Sequence, residues 1–287
     1  MLFSRRTRTR PAGFHVLRPC VVNSRLKGKV ASSASLLLLR GGAILLATNA
    51  LWATTVIAQE HGAPHWSYDG QTGPSHWGDL SSDFAPCKAG HRQSPIDIEA
   101  TQKADLPAIQ FDYKNTPLHI IDNGHTIMIN YAPGSSIRVG DKRYEMKQFH
   151  FHRPSEEKIK GKRYDMVVHL VHVAPDGSTA VVAILLQQGG DNQLIDELWK
   201  DVPREKNKEG LLDTVQIDVA SLLPTDRSYY TFSGSLTTPP CTENVTWYVL
   251  KHPVTVSAEE IGEYSKLYRD DARPTQPSYD RVVRESK

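Results

Sequence analysis

The segment Gln148-Phe149-His150-Phe151-His152 carries two histidines two residues apart, and a third, His169, lies on the next long apolar run. Successive side chains on a β-strand alternate faces, so His150 and His152 point the same way. A histidine from a neighbouring strand completes a set of three imidazole nitrogens. Three neutral imidazoles with a fourth position left open are the donor set of a catalytic zinc site, whereas structural zinc sites close with four protein ligands. Three unrelated strand histidines, each satisfied by hydrogen bonds, would leave the same trace if His-x-His stood alone. The helical His-Glu-x-x-His motif of other zinc hydrolases does not occur in the chain.

Such ligands need rigid strands, and the sequence supplies them. Met166 to Val173 reads as a strand, Pro175-Asp176-Gly177 as a turn, and Ala180 to Leu186 as the returning strand. Leu118 to Ile121, the turn-like Asp122-Asn123-Gly124 and Ile127 to Ile129 repeat the pattern, and Val245 to Leu250 adds another strand. Helices are few. Asp191 is expected to cap one with Leu194, Ile195, Leu198 and Trp199 on one side. Ser257 with Glu260 forms a capping box before Ile261, Tyr264 and Tyr268. Residues 59–95, rich in Gly, Pro, Trp and His, read as irregular surface wrapping. The expected fold class is α+β, mainly β: a single domain built on a large, mostly antiparallel twisted sheet with short peripheral helices.

Residues 1–58 stand apart, with nine Lys and Arg and no Asp or Glu. An apolar stretch from about Ala34, interrupted by Arg40, ends in Val56-Ile57-Ala58, a pattern suited to signal peptidase cleavage before Gln59. Arg5-Arg6 lies too far upstream of that stretch for a good twin-arginine signal. An uncleaved anchor is the alternative, although Asn49 and the threonines make a poor membrane span. The chain therefore divides into a leader, 1–58, and a domain, 59–287. It is expected to be periplasmic or secreted, with no stable membrane association once the leader is removed. The 229 residues of the domain hold 25 basic and 32 acidic side chains, a net charge of −7, which argues against a nucleic-acid partner. Cys20 falls in the leader. Cys87 and Cys241 are an even pair in an exported domain and are expected to form a disulfide, with two free buried thiols as the alternative.

Six segments together carry a family resemblance: Gln93-Ser94-Pro95-Ile96-Asp97-Ile98, Asn123-Gly124-His125, Gln148 to His152, Ser155-Glu156, His169-Leu170-Val171-His172, and Ser233-Gly234-Ser235-Leu236-Thr237-Thr238-Pro239-Pro240. From about Trp66 to the C-terminus the chain resembles the α-class carbonic anhydrases, of the exported bacterial type. The resemblance implies that His150, His152 and His169 bind Zn²⁺ and that the enzyme reversibly hydrates CO₂ to bicarbonate and a proton. The zinc lowers the pKa of its water to about 7, a figure for which this family is itself the reference case, and the resulting hydroxide attacks CO₂. Thr237 would accept the hydroxide's proton in a hydrogen bond and pass its own to Glu156. The Thr237 N–H and the Thr238 side chain would contact bicarbonate. His125 would shuttle protons through waters, a task suited to an imidazole. Val171 shares the His169 face by strand alternation, and with Val181, Leu236 and Trp247 it resembles the wall that receives CO₂; plain core packing fits these four equally well. The resemblance also implies weak esterase activity on activated esters as a side reaction of the same hydroxide. The partners implied are small molecules, in a monomer or homodimer. A non-catalytic relative that only binds is the competing class; such modules typically lose a zinc histidine, and all three are present.

The chain departs from the family pattern near His169. Gln148 resembles the residue that holds His150. The usual Glu two positions before His169 is Val167, and the usual His after Ser155-Glu156 is Glu157. Glu157 is expected to replace the missing carboxylate and accept the Nδ1 proton of His169; otherwise Glu157 is a solvated loop residue and the site is weakened. Met128 stands where many relatives carry a polar residue beside the shuttle. His172 points away from His169, His119 is given no role, and His76 with Trp77 resembles a structural position. His61, His65, His91 and His252 read as surface or loop residues.

Overall fold

The computed structural model describes residues 64–287, so the expected leader and its cleavage site lie outside the described residues. A sheet of 13 strands dominates. Its principal strands are β1 (Thr116–Asp122), β2 (Ile127–Asn130), β3 (Lys142–His152), β4 (Met166–Val173), β5 (Thr179–Gln188), β6 (Glu209–Ile217), β7 (Tyr229–Ser235) and β8 (Glu243–Leu250). They run in the order β6-β1-β2-β3-β4-β5-β8-β7, continued by Arg284–Glu285 and Gln102–Lys103. Most pairings are antiparallel, and β5 and β8 are parallel. This is the mainly β fold with short helices that the pattern of strands and turns predicts.

Turn chemistry sets the registers. Gly177 takes φ +83°, and the Asp176 carboxylate accepts from the N–H and hydroxyl of Ser178, so β4 and β5 pair from Met166–Leu186 to Val173–Thr179. Gly124 takes φ +85° in the β1–β2 turn. There Asn123 Oδ1 accepts from the N–H groups of His125 and Thr126, each at 2.9 Å, which fixes where His125 leaves the chain.

β4 and β5 are buried on both faces, which explains their nearly unbroken apolar runs. One face packs Val168, Leu170, Val182, Ile184, Phe149 and Phe151 into the larger core. The other carries Val167, Val181, Ala183, Leu185 and Trp247. Because side chains alternate, the three histidines share this second face with the smaller cluster.

Two helices close the side of the larger core: α1 (Gln193–Lys200) and α2 (Ala258–Leu267). The cap of α1 is Asn192, whose Oδ1 accepts from Ile195 N, and not Asp191 as expected. The reason is tertiary. The Glu260 carboxylate accepts from Asn192 N at 2.9 Å and from Ser257 N at 2.6 Å, so one buried acid ties the start of α1 to the capping box of α2. Among the described residues no helix is long and apolar enough to cross a membrane. Cys87 and Cys241 form a disulfide, with Cα atoms 5.0 Å apart, inside a small cluster with Trp77 and Phe84.

Candidate metal centre

His150 and His169 are direct partners in the antiparallel β3–β4 pairing, and His152 pairs with Val167 one step along. This register brings one ring nitrogen from each of His150, His152 and His169 to within 4.8 Å of the others. His152 and His169 are buried, and His150 is partly so. Burial and the neighbouring imidazoles hold His150 and His169 well below the ordinary histidine pKa, and so in the neutral form that binds metals.

An acceptor braces each ring from the side. His150 Nδ1 lies 2.8 Å from Gln148 Oε1, and His152 Nδ1 lies 2.8 Å from the carbonyl oxygen of Asp271. His169 Nε2 lies 3.2 and 3.3 Å from the two Glu157 oxygens. The expected contact to Glu157 is therefore present, but through Nε2 rather than Nδ1. The loop carrying Glu157 approaches the far side of the imidazole, which leaves Nδ1 turned toward Glu156 at 3.8 Å. His152 Nε2 is buried without a hydrogen-bond partner, an atom expensive to leave unsatisfied in a dry site. Three imidazoles, each with an acceptor on its other nitrogen, fit a metal ion.

Glu156 is fully buried beside them, with Oε2 3.5 Å from His152 Nε2 and Oε1 accepting from Arg273 N at 2.8 Å. Burial, then the neighbouring Glu157, push its carboxyl well above the ordinary range; hydrogen bonds from Thr237 and Arg273 oppose that shift. Burial likewise raises Glu157 to about 7.

The apolar residues align across strands. Val171 pairs with Val181, and Val181 with Trp247. Leu236 and Val171 pack on the same cluster. Trp247 meets His169 edge-on at 4.9 Å and donates its indole N–H to Ser235 O. Gly234 permits this, since a Cβ there would collide with the Trp247 ring. Thr238, in the turn after β7, accepts from Cys241 N at 2.8 Å through its carbonyl. Met128 is half-buried opposite His150.

His125 is not among the three rings. It is half-buried and stacks on Trp66 at 3.7 Å, in a cleft of about 930 Å³ that also holds His65, Lys206 and Asp271. Burial, His65 and Lys206 lower its pKa from 6.5. His172 turns to the opposite face, where Nε2 pairs with the Tyr113 hydroxyl at 2.9 Å.

The sequence pattern did not reveal Asp271 or Arg273. Asp271 serves His152 through a backbone carbonyl, which any residue could supply. Arg273 is buried, with its guanidinium donating to Gln93, Ser94 and the Cys87 carbonyl. Only its Pro-flanked place after two aspartates marks it in the sequence.

A strand-borne set of three braced imidazoles beside a buried Glu–Thr pair defines a site that could hold a metal ion. A family model described as eukaryotic-type carbonic anhydrase matches residues 72–287. A carbonic anhydrase of Nostoc sp. is 41% identical over 227 residues, covering 77% of this chain and 86% of the relative. One from Klebsiella pneumoniae is 42% identical over 224 residues, covering 77% and 91%. The structure of the α-carbonic anhydrase from Thermovibrio ammonificans with the inhibitor sulfanilamide is similar at a TM-score of 0.75 and 41% identity, covering 78% of this chain and 100% of that one. The chain belongs to the α-class carbonic anhydrases, a family of carbonate dehydratases.

Proposed function

We propose that this protein is a zinc-dependent enzyme that interconverts CO₂ and bicarbonate. The observation that carries the reading is the trio of imidazole nitrogens within 4.8 Å, held by His150, His152 and His169. When bound, Zn²⁺ supplies the Lewis acidity that turns water into a nucleophile near neutral pH, the chemistry for which this family is the reference case.

The chain's own residues do the rest. Gln148, the Asp271 carbonyl and Glu157 orient the three rings. Thr237 donates its hydroxyl hydrogen bond to Glu156, which leaves the Thr237 oxygen free to accept one and so orient the attacking oxygen. Glu156 must be ionised for this, and a cation held by the adjacent imidazoles favours that form. The Thr237 N–H and the Thr238 side chain hold bicarbonate. Val171, Val181, Leu236 and Trp247 form a dry wall suited to an apolar substrate. His125 relays protons between the site and solvent through intervening waters, in a cleft open to buffer.

The domain, 59–287, acts after export, with residues 1–58 removed as a leader. N-terminal sequencing of the exported protein should begin at Gln59. Stopped-flow CO₂ hydration with parallel metal analysis tests the activity. One zinc per chain, with turnover lost to a chelator and restored by zinc, is the expected result. Full zinc occupancy without turnover would indicate a binding module instead.

A further inference from the structure

One hydroxyl lies between the strand segment that carries two of the three histidines and the residue whose carbonyl faces His152. Tyr264, on α2, is buried, and its Oη lies 2.6 Å from Asp271 Oδ2, 2.9 Å from Phe151 O and 3.1 Å from Thr126 Oγ1. Two hydroxyl protons serve these contacts. Thr126 Oγ1, 2.5 Å from Phe151 O, donates to that carbonyl, and Tyr264 donates to the Asp271 carboxylate. Phe151 sits between His150 and His152, so the Thr126 hydroxyl holds the strand between two ligands while the Tyr264 hydroxyl holds Asp271 beside it.

Asp271 is also the residue whose carbonyl oxygen faces His152 Nδ1 at 2.8 Å. Residues 271–278 lie in neither helix nor strand, so no ladder of backbone bonds aims that carbonyl. Side-chain bonds do it instead. Oδ1 accepts from Arg153 N at 2.7 Å, Oδ2 accepts from Tyr264, and Asp271 N donates to Arg153 O at 3.0 Å. These bonds hold the Asp271 N–H and side chain, and from that anchored residue the carbonyl oxygen faces His152. A phenylalanine at 264 would fill the same space without burying a hydroxyl, a group that is costly to bury unless it is partnered.

We propose that Tyr264 and the Asp271 side chain are a positioning pair for His152, setting the orientation of its imidazole and hence the grip of the three histidines on a metal ion. The proposal rests on reading those histidines as a metal site.

The test uses the full protein and Tyr264→Phe, which deletes only the hydroxyl. Zinc affinity is measured by competition with a chelator, and geometry by the visible absorption of the Co²⁺-loaded protein. Tyr264→Phe is expected to weaken zinc about tenfold, the lower end for losing an outer partner of a ligand, and to change the cobalt spectrum. Asp271→Asn keeps the backbone carbonyl and an acceptor for Arg153 N, and its amide N–H can donate to the Tyr264 oxygen in place of the bond it accepts, so it should lose less than Asp271→Ala. Asp271→Ala should resemble Tyr264→Phe, and it serves as the readout if Tyr264→Phe does not fold. Combining Tyr264→Phe with Asp271→Ala should cost little more than either alone, since both break one link. Parent-like zinc affinity and cobalt spectrum in Tyr264→Phe and Asp271→Ala would overturn the pair while leaving the metal site standing. A parent protein that binds no zinc would overturn the site reading and the pair together.

Discussion

Glu157 and His169 are fully buried partners twelve residues apart, with both carboxylate oxygens within 3.3 Å of the imidazole Nε2. The position two before His169, where the family commonly has a carboxylate, is Val167, buried on the same face. The two departures from the family pattern are thus one spatial change: the acid reaches the ring from a loop and not from the strand that carries His169.

Glu157→Ala should weaken zinc binding by about 10–100-fold, because His169 loses the acceptor that fixes its orientation. Glu157→Gln keeps a carbonyl acceptor of the same length and should lose much less. Adding Val167→Glu to Glu157→Ala should recover part of the loss by returning a carboxylate to the space vacated. Chelator competition on the four proteins measures this, and equal affinities throughout would mean that Glu157 only fills volume.

His125→Ala should slow CO₂ hydration in weak buffer and leave zinc content unchanged, with added imidazole restoring the rate. Burial, His65 and Lys206 lower the His125 pKa, so its NMR titration should fall below 6.5 in the parent. Lys206→Gln removes a cation and should raise that midpoint. A midpoint that stays put would place Lys206 too far from the imidazole to matter.

Elements whose cause is local were legible in the sequence, and contacts set by approach direction were not. Strand alternation suffices to put His150 and His152 on one face and Val171 beside His169. The Ser257–Glu260 box lies where the residues imply, because both partners belong to one turn. The α1 cap moves from Asp191 to Asn192 because Glu260, far along the chain, takes the Asn192 N–H. That Glu157 meets His169 is expected from the departures from the family pattern at Val167 and Glu157. That it meets Nε2 depends on the side from which its loop arrives. The Asp271 carbonyl left no trace, since a backbone oxygen is the same in every residue.

The Cys87–Cys241 bridge should matter to stability and to the turn that carries Thr237 and Thr238. Cys241 N donates to Thr238 O at 2.8 Å, the Gln93 amide donates to Cys241 O at 3.0 Å, and Arg273 donates to Cys87 O at 2.9 Å. Cys87→Ser/Cys241→Ser should lose about 2–4 kcal/mol in urea unfolding, the usual range for a bridge closing a long loop. Its turnover should fall further than its zinc content, because the ligands lie on strands that the bridge does not touch. A parent protein with two titratable thiols after oxidation would remove the basis for both effects.

His172 should make the fold sensitive to acid independently of the metal ligands. Burial pushes its pKa down to about 3, and Tyr113 occupies its Nε2. The unfolded chain regains an ordinary histidine near 6.5 and so binds a proton that the folded chain refuses. Stability then falls as pH drops below about 6.5, and continues to fall until the folded pKa is reached. Between pH 7.5 and pH 5 this one group should cost about 2 kcal/mol. His172→Gln keeps a partner for Tyr113 but does not titrate. The other buried histidines contribute equally to both proteins and cancel in the difference. Urea unfolding across that pH range should therefore show the parent losing more stability than the variant, and parallel curves would mean that His172 takes up its proton within the folded state.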